Sequence, residues 1–173
     1  VMGECGHAYR GAVYDGPRWL GWTKPPITMV HAVEYYYELI KSGRIKIARK
    51  IEEPVTVQDP CNIVRGRGLH DKLRYVVNAI CEDFRDMDPR YEHNYCCQAG
   101  GGLINCGPPW KVSRMKSNKV KAEQIADTGA HLVITPCHNC HSGIEDIIGY
   151  YRLGVHVSFI SELLVKTIEL PEA

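Results

Sequence analysis

The nine residues GAHLVITPC, Gly129 to Cys137, decide the fold. A glycine leads into Leu132, Val133 and Ile134, and Pro136 stops the run one residue before a cysteine. So short an unbroken apolar run, bounded by breakers, reads as a strand buried on both faces and ending at Cys137. EPVTVQDPC, Glu53 to Cys61, has the same form, closed by Asp59 and Pro60, and a third apolar run covers Val155 to Phe159. Helical periodicity fills the spaces between them. From His70 to Phe84, Leu73, Val76, Val77, Ile80 and Phe84 recur at three and four residues. Trp110 to Asp127 keeps Val112, Met115, Ala122 and Ala126 on one face, and a further helix runs from near His138 to Tyr151. SELLVKTIEL, Ser161 to Leu170, opens with Ser161 in a capping-box-like position. Strands alternating with helices give an α/β domain with a mostly parallel sheet, whose ligands gather beyond the carboxyl ends of the strands. Cys61 and Cys137 both stand there.

Composition narrows the classes of function. A chain of 173 residues is long enough for one domain with a real core, or one domain and part of another. Lys and Arg number 21 against 20 Asp and Glu, so the charge balance offers nothing to a nucleic acid. The apolar tracts are short or broken by Arg152, His156 and Glu162, under the ~18 residues of a membrane span, which points to a soluble chain. Eight cysteines do not read as a secreted disulfide framework, because Cys96 and Cys97 are adjacent and Cys137 and Cys140 form a C-x-x-C. A reducing, intracellular setting fits better.

The stretch NYCCQAGGGLINCG, Asn94 to Gly107, carries the chemistry. Neighbouring Cα atoms lie ~3.8 Å apart, too close for the ~4.4 to 6.8 Å of a relaxed disulfide, so the pair faces a third party. Gly100, Gly101 and Gly102 let the backbone take positive φ and approach a bulky ligand closely. Cys61, the Cys96–Cys97 pair and Cys137-x-x-Cys140 can therefore converge, with the helix after Cys137 favouring thiolate charge at its N-terminus. A fifth sulfur is surplus to tetrahedral zinc, whereas a cluster of several irons can use five. Two other chemistries stay open on the residues alone: thioredoxin-like dithiol exchange at Cys137 and Cys140, and a structural zinc site.

The order of these motifs, in GECGHAYRG, DPCNIVRGRG, NYCCQAGGG and TPCHNCHSG, resembles the cysteine-rich CCG domain of heterodisulfide reductase catalytic subunits. In flavour it is similar to the DsrK-type subunits of sulfate-reducer membrane redox complexes, with their HmcF and TmcB relatives. The resemblance implies Rossmann-like parallel units with flanking helices in a pseudo-duplicated arrangement. It also implies that Cys61, Cys96, Cys97, Cys137 and Cys140 hold a non-cubane 4Fe-4S cluster at which a disulfide or trisulfide is reduced, beside the loop Gly100 to Gly102. Further cubane 4Fe-4S clusters are expected in an N-terminal part missing from this sequence. The implied partners are a membrane cytochrome b-type subunit with other subunits of the complex, and a small thiol protein or thiol substrate, with no nucleic acid. The implied location is cytoplasmic, membrane-associated through those partners. One departure stands out, Gln98-Ala99 where the motif has glycine directly after the cysteine pair.

Residues 1–52 read as the remnant of a first α/β half and residues 53–173 as the cluster-binding CCG domain. MGECGHAYRG aligns with ITPCHNCHSG, pairing Cys5 with Cys137 and Ala8 with Cys140, and ITMVHAVEYYYELI aligns loosely with VHVSFISELLVKTI. The first half is expected to be incomplete, since the strand that should lead into Cys5 is mostly absent and the first residue is Val. Cys5 is not assigned as a ligand. Cys81 reads as a buried inert thiol, and Cys106 as structural or as a redox thiol near the substrate approach. His7, His138 and His141 either cap their loops or relay protons to a departing thiolate. The basic run Lys111, Arg114, Lys116, Lys119 and Lys121 reads as a solvated face or a docking surface, with Lys119 its most interesting member. Arg65 and Arg67 are candidates to offset cluster charge or to hold a carboxylate. Trp19, Trp22 and Trp110 are core or interface.

Overall fold

The computed structural model describes residues 1–169. Three strands form one parallel sheet in the order β3 (Val55–Val57), β4 (Leu132–Thr135), β5 (His156–Phe159), with Val57 opposite Ile134 and Thr135 opposite Phe159. All of β3 and β4 is buried, the threonines Thr56 and Thr135 included, as expected of strands covered on both faces. Two shorter strands, β1 (Met2–Gly3) and β2 (Val30–His31), pair in parallel as a second sheet.

The helices sort onto two faces because side chains alternate along a strand. Leu132 and Ile134 of β4 point into a core with Val55, Val57 and Ile160 and with Leu73, Val77 and Ile80 of α4 (His70–Ile80). Tyr9, Ala32, Val33 and Tyr36 join this same core, so the first fifty residues and the rest of the chain share it. Val133 points the other way, into a core with Met115, Ile125, Ile144, Ile147, Cys97, Cys137 and Cys140. That second core lies under α5 (Trp110–Ser117), α6 (Lys119–Asp127) and α7 (His138–Tyr151).

The chain repeats one local design. Strand β1 leads through Cys5 into α1 (Gly6–Arg10), and β4 leads to Cys137 and α7; both cysteines precede their helices in extended backbone, at φ −150° and −155°. A π-helical turn, Gly11–Asp15, continues α1 into the short α2 (Gly16–Trp19). Strands β2 and β5 then lead into α3 (Ala32–Lys41) and α8 (Ile160–Thr167). At each of these strand-to-helix junctions a glutamate three residues on accepts the strand-end amide: Glu34 from His31 N–H at 2.9 Å, Glu162 from Phe159 N–H at 3.0 Å.

Several boundaries differ from the sequence expectation. The helix from His70 ends at Ile80, because Cys81 and Phe84 turn extended and bridge in parallel to Ile51 and Val55. Trp110 to Asp127 is two helices broken at Asn118, which leaves Val112 and Ala126 exposed and puts Ile125 inside with Met115 and Ala122. The serine at the last helix is Ser158, whose hydroxyl donates to Glu162 at 2.6 Å, and not Ser161. That helix ends at Thr167, and Leu170 lies outside the described residues. Trp19, Trp22 and Trp110 are all exposed and contribute nothing to the core. Among the described residues no helix is long and apolar enough to cross a membrane.

One close contact fixes the cysteine loop on α7. A side-chain carbon at Gly143 would lie 2.7 Å from Ala99 Cβ and 2.9 Å from the Cys97 carbonyl oxygen. Gly143→Ala is expected to lower unfolding free energy by about 1–3 kcal/mol, as overpacking does. Gly149 on the same helix faces open space, so Gly149→Ala should raise it by ~0.5–1 kcal/mol through helix propensity. Denaturant midpoints of the two variants with opposite signs would check the assignment; a neutral Gly143→Ala would sink it.

Candidate metal centre

The site is assembled at the carboxyl ends of β3 and β4, where parallel sheets present their crevices. Beyond β3, Asp59 and Pro60 carry the chain to Cys61; beyond β4, Pro136 carries it to Cys137, and the first turn of α7 adds Cys140. The loop before α5 brings in Cys96 and Cys97. Cys97 Sγ lies 3.3 Å from Cys140 Sγ. Thiol contacts then link Cys96 to Cys61 and to Cys97 on one side, and Cys137 to Cys140 and to Cys5 on the other. Six sulfurs thus form one continuous run, Cys61, Cys96, Cys97, Cys140, Cys137 and Cys5.

Backbone amides point at these sulfurs. Gln98 N–H donates to Cys96 Sγ at 3.2 Å, and the amides of Cys140 and Gly6 reach Cys137. Hydrogen bonds from the Cys140 and Cys5 thiols hold Cys137 well below the usual thiol range. Those from Cys61 and Cys97 do the same for Cys96, pulled down to about 2. Thiolate charge is therefore favoured at two points of the run before any metal is considered. Gln98 sits at φ 53°, a region that favours glycine. Its amide bond to Cys96 and a 2.6 Å bond from the Ser117 hydroxyl to its Oε1 offset that cost.

A buried ionic frame holds the loops. Arg74, on the inner side of α4, pairs with Asp59 and, at 2.7 Å, with Asp86. Asp59 also accepts the Tyr91 amide at 2.9 Å, tying the approach to Cys61 to the loop leading to Cys96. Arg65 spans the same gap, donating to the carbonyls of Glu92 at 2.7 Å and Asn94 at 3.0 Å, and its charge helps depress the Cys96 thiol. Arg67 turns away and lies over the Tyr14 ring, 3.0 Å from its centroid.

The basic run does not behave as one solvated face. Lys119 is exposed and pairs with Glu123 at 3.3 Å. Arg114 is buried against Asp146, and Lys121 is fully buried. The Lys121 ammonium donates to Asn94 Oδ1 at 2.7 Å and to Gln124 Oε1, and lies 3.6 Å from Met87 Sδ, with no carboxylate among its hydrogen-bond partners. Burial pushes its pKa down to about 7, against the opposing pull of Cys97, Asp59, Cys140 and Cys96. Sequence reasoning singled out Lys119, because the break at Asn118 that rotates Lys121 inward carries no periodic signal.

Other candidates fall as follows. His138 is exposed, and His141 stacks on Phe159 with centroids 4.4 Å apart. His7 stands against the glycine loop, since a side chain at Gly100 would lie 3.1 Å from its ring. Asn139 lies 3.2 Å from His7 Nδ1. Gly101 and Gly102 take φ 64° and 79° and border open space. Cys81 is buried, its thiol raised to about 12 by desolvation, and Cys106 is exposed. His31, which the sequence did not flag, is fully buried at the end of β2; burial pulls it down to about 4, while Cys137 and the Pro136 carbonyl pull the other way.

The donor set fits an iron-sulfur cluster. Its donors are sulfurs, since the Asp59 carboxylate beside them is committed to Arg74 and the Tyr91 amide; it holds more thiols than one tetrahedral ion takes, and amides already aim at the sulfurs. Comparison with known proteins agrees. Residues 55–145, more than half of the chain, match the CCG cysteine-rich domain, and the chain belongs to that family. It is similar to the D subunit of dihydromethanophenazine:CoB–CoM heterodisulfide reductase of Methanosarcina mazei, 32% identical over 98% of this chain and 41% of that protein. It is also similar to the Hdr-like menaquinol oxidoreductase iron-sulfur subunit of Archaeoglobus profundus, 24% identical over 98% of this chain and 37% of that protein. The B subunit of fumarate reductase (CoM/CoB) of Methanothermobacter marburgensis is 36% identical over 64% of this chain and 22% of its own length. The chain therefore spans about two fifths of the first two relatives.

Lys121 yields a test with a definite sign. Between pH 7 and 10.5 the unfolded chain keeps a proton on this lysine that the folded, metal-free chain has released, so the destabilisation that burying Lys121 causes fades across that window. Lys121→Met is therefore expected to stabilise the metal-free chain below pH 7 and to lose that advantage as the pH climbs. In iron-loaded protein the same substitution removes a positive charge near the sulfurs and should move the reduction midpoint to more negative potential. Lys119→Met should do neither. Denaturation at a series of pH values and a redox titration read the two effects.

Proposed function

We propose that this chain is part of a heterodisulfide reductase-like oxidoreductase subunit whose catalytic cluster is a non-cubane 4Fe-4S centre held by Cys61, Cys96, Cys97, Cys137 and Cys140. The observation that carries the reading is the unbroken run of sulfurs drawn from two strand ends, a loop and a helix start. Family membership and the names of the relatives, heterodisulfide reductase among them, support the reaction class. When bound, such a cluster supplies electrons to a disulfide and offers iron to its sulfur.

The surrounding residues have separable tasks. Lys121 and Arg65 set positive charge beside the cysteine pair, which favours a more reduced centre. The open φ-positive turn at Gly101 and Gly102 leaves an approach free of side chains for a thiol substrate. His138, exposed and next in sequence to Cys137, is the proposed proton donor to a leaving thiolate. His141, stacked on Phe159, steadies the start of α7 against β5.

By analogy with its relatives the chain works within a complex, receiving single electrons from cubane clusters outside the present sequence. A cytochrome b-type membrane subunit is the proposed electron partner, and a small thiol protein or thiol substrate the proposed acceptor. The proposed location is the cytoplasm, at the membrane surface through those partners.

Iron-sulfide reconstitution tests the proposal. Alanine at any one of the five cysteines is expected to lower iron and acid-labile sulfide per chain, whereas Cys81→Ala should keep both. Oxidised, loaded protein should change its electron paramagnetic resonance spectrum when a thiol is added. Full iron retention in two or more of the five variants, or colourless protein that binds zinc instead, refutes the assignment. A spectrum indifferent to every thiol, with no disulfide reduced by a low-potential donor, reduces the centre to an electron relay.

A further inference from the structure

Cys5 and His7 lie outside residues 55–145, the part of the chain that matches the family. Nevertheless Cys5 Sγ, a His7 ring nitrogen and Cys137 Sγ all lie within 4.8 Å of one another. Around a metal with bonds of ~2.3 Å to sulfur and ~2.0–2.1 Å to nitrogen, tetrahedral ligand atoms sit ~3.5–3.8 Å apart. The three groups are thus within about 1 Å of a ligating arrangement.

The first strand-helix unit is built to hold them there. Gly6 packs on the loop after Cys61, where a side-chain carbon would lie 3.0 Å from Asn62 Cβ. The Gly6 amide reaches the Cys137 sulfur, as does the Cys5 thiol. His7 is half-buried between Gly100 of the glycine loop and Asn139 of α7. Behind them His31 is fully buried, its Nδ1 accepting from the Val33 amide at 3.3 Å, and Cys137 acts on its charge. Such packing around three soft donors has no structural need that ordinary apolar residues would not meet.

We propose that Cys5 and His7 are ligands of the metal ion that Cys137 holds, so that the centre takes six cysteines and one histidine, two of them from outside the CCG segment. His7 is the one of the two that stands against the Gly100 loop, and a thiol substrate arriving there displaces it. The inference rests on the cluster reading in one respect, that Cys137 binds metal.

The test uses the full chain, loaded anaerobically with iron and sulfide, as wild type, Cys5→Ser, Cys5→Ala, His7→Gln and, as control, Cys106→Ser at an exposed thiol. Pulsed electron paramagnetic resonance with 15N-labelled histidine should show a directly bound nitrogen in wild type that disappears in His7→Gln. Both Cys5 variants should shift the g-values, and Cys106→Ser should leave the spectrum unchanged. Cys5 and His7 variants whose spectra superimpose on wild type overturn the proposal. Cobalt(II) added to the iron-free chain gives a reading independent of cluster assembly. The thiolate-to-cobalt absorption at one equivalent should weaken in both Cys5 variants, and the visible ligand-field bands should change in His7→Gln. If wild type assembles no iron-sulfide but cobalt responds in this way, the cluster reading fails while the Cys5–His7–Cys137 site stands. Unaltered cobalt spectra in all three variants dismiss the site.

Discussion

The Arg74 guanidinium, shut between Asp59 and Asp86, is the interaction on which the sulfur site depends. It locks together three pieces of chain that strand bridging and core packing bring side by side: the end of β3, the inner face of α4, and the turn after the extended segment at Phe84. Asp59 passes the restraint on through the Tyr91 amide, and Cys61 and Cys96 come to face each other as a result. Removing one partner of such a buried pair typically costs ~3–5 kcal/mol, because it strands an uncompensated charge. Here the damage would extend beyond stability to the spacing of the first two thiols.

On the other side of the sheet, contact rather than charge sets the geometry. Cys97, Cys137 and Cys140 belong to an apolar core with Val133, Ile144 and Ile147, so their sulfurs are positioned by close packing. The centre therefore straddles two environments, an ionic one at Cys61 and Cys96 and a dry one at Cys97, Cys137 and Cys140. Lys121 belongs to the second environment without matching it. A fully buried ammonium with only amide and thioether partners has its natural counter-charge in the thiolates and whatever they bind.

The sequence made the architecture readable because parallel strands buried on both faces appear as short β-branched or apolar runs ended by breakers, as β3 and β4 do, while the half-exposed β5 still shows as a short apolar run. The cysteine spacing was readable for the same reason, since two of the motifs mark strand ends. What could not be read depended on partners distant in sequence. Lys121 finds Asn94 twenty-seven residues away, Arg114 finds Asp146 thirty-two away, and neither pairing leaves a local pattern. The break at Asn118 and the extended turn at Cys81 also escaped, because apolar periodicity continues across both. The half-repeat puts Cys5 at the equivalent strand end without marking it as a ligand, because its contact with Cys137 joins segments far apart in the chain and leaves no local pattern.

The sulfur run has a topological side as well. Its members come from separate stretches of chain, so anything that binds all of them closes large loops at once and acts as a cross-link without a covalent sulfur-sulfur bond. The entropy of closing a loop grows only slowly with its length, and most of the constraint falls on the unfolded chain. Metal and inorganic sulfide then become structural components, and folding is coupled to their supply. Oxygen damage to the centre would release those loops together, making loss of chemistry and loss of structure a single event.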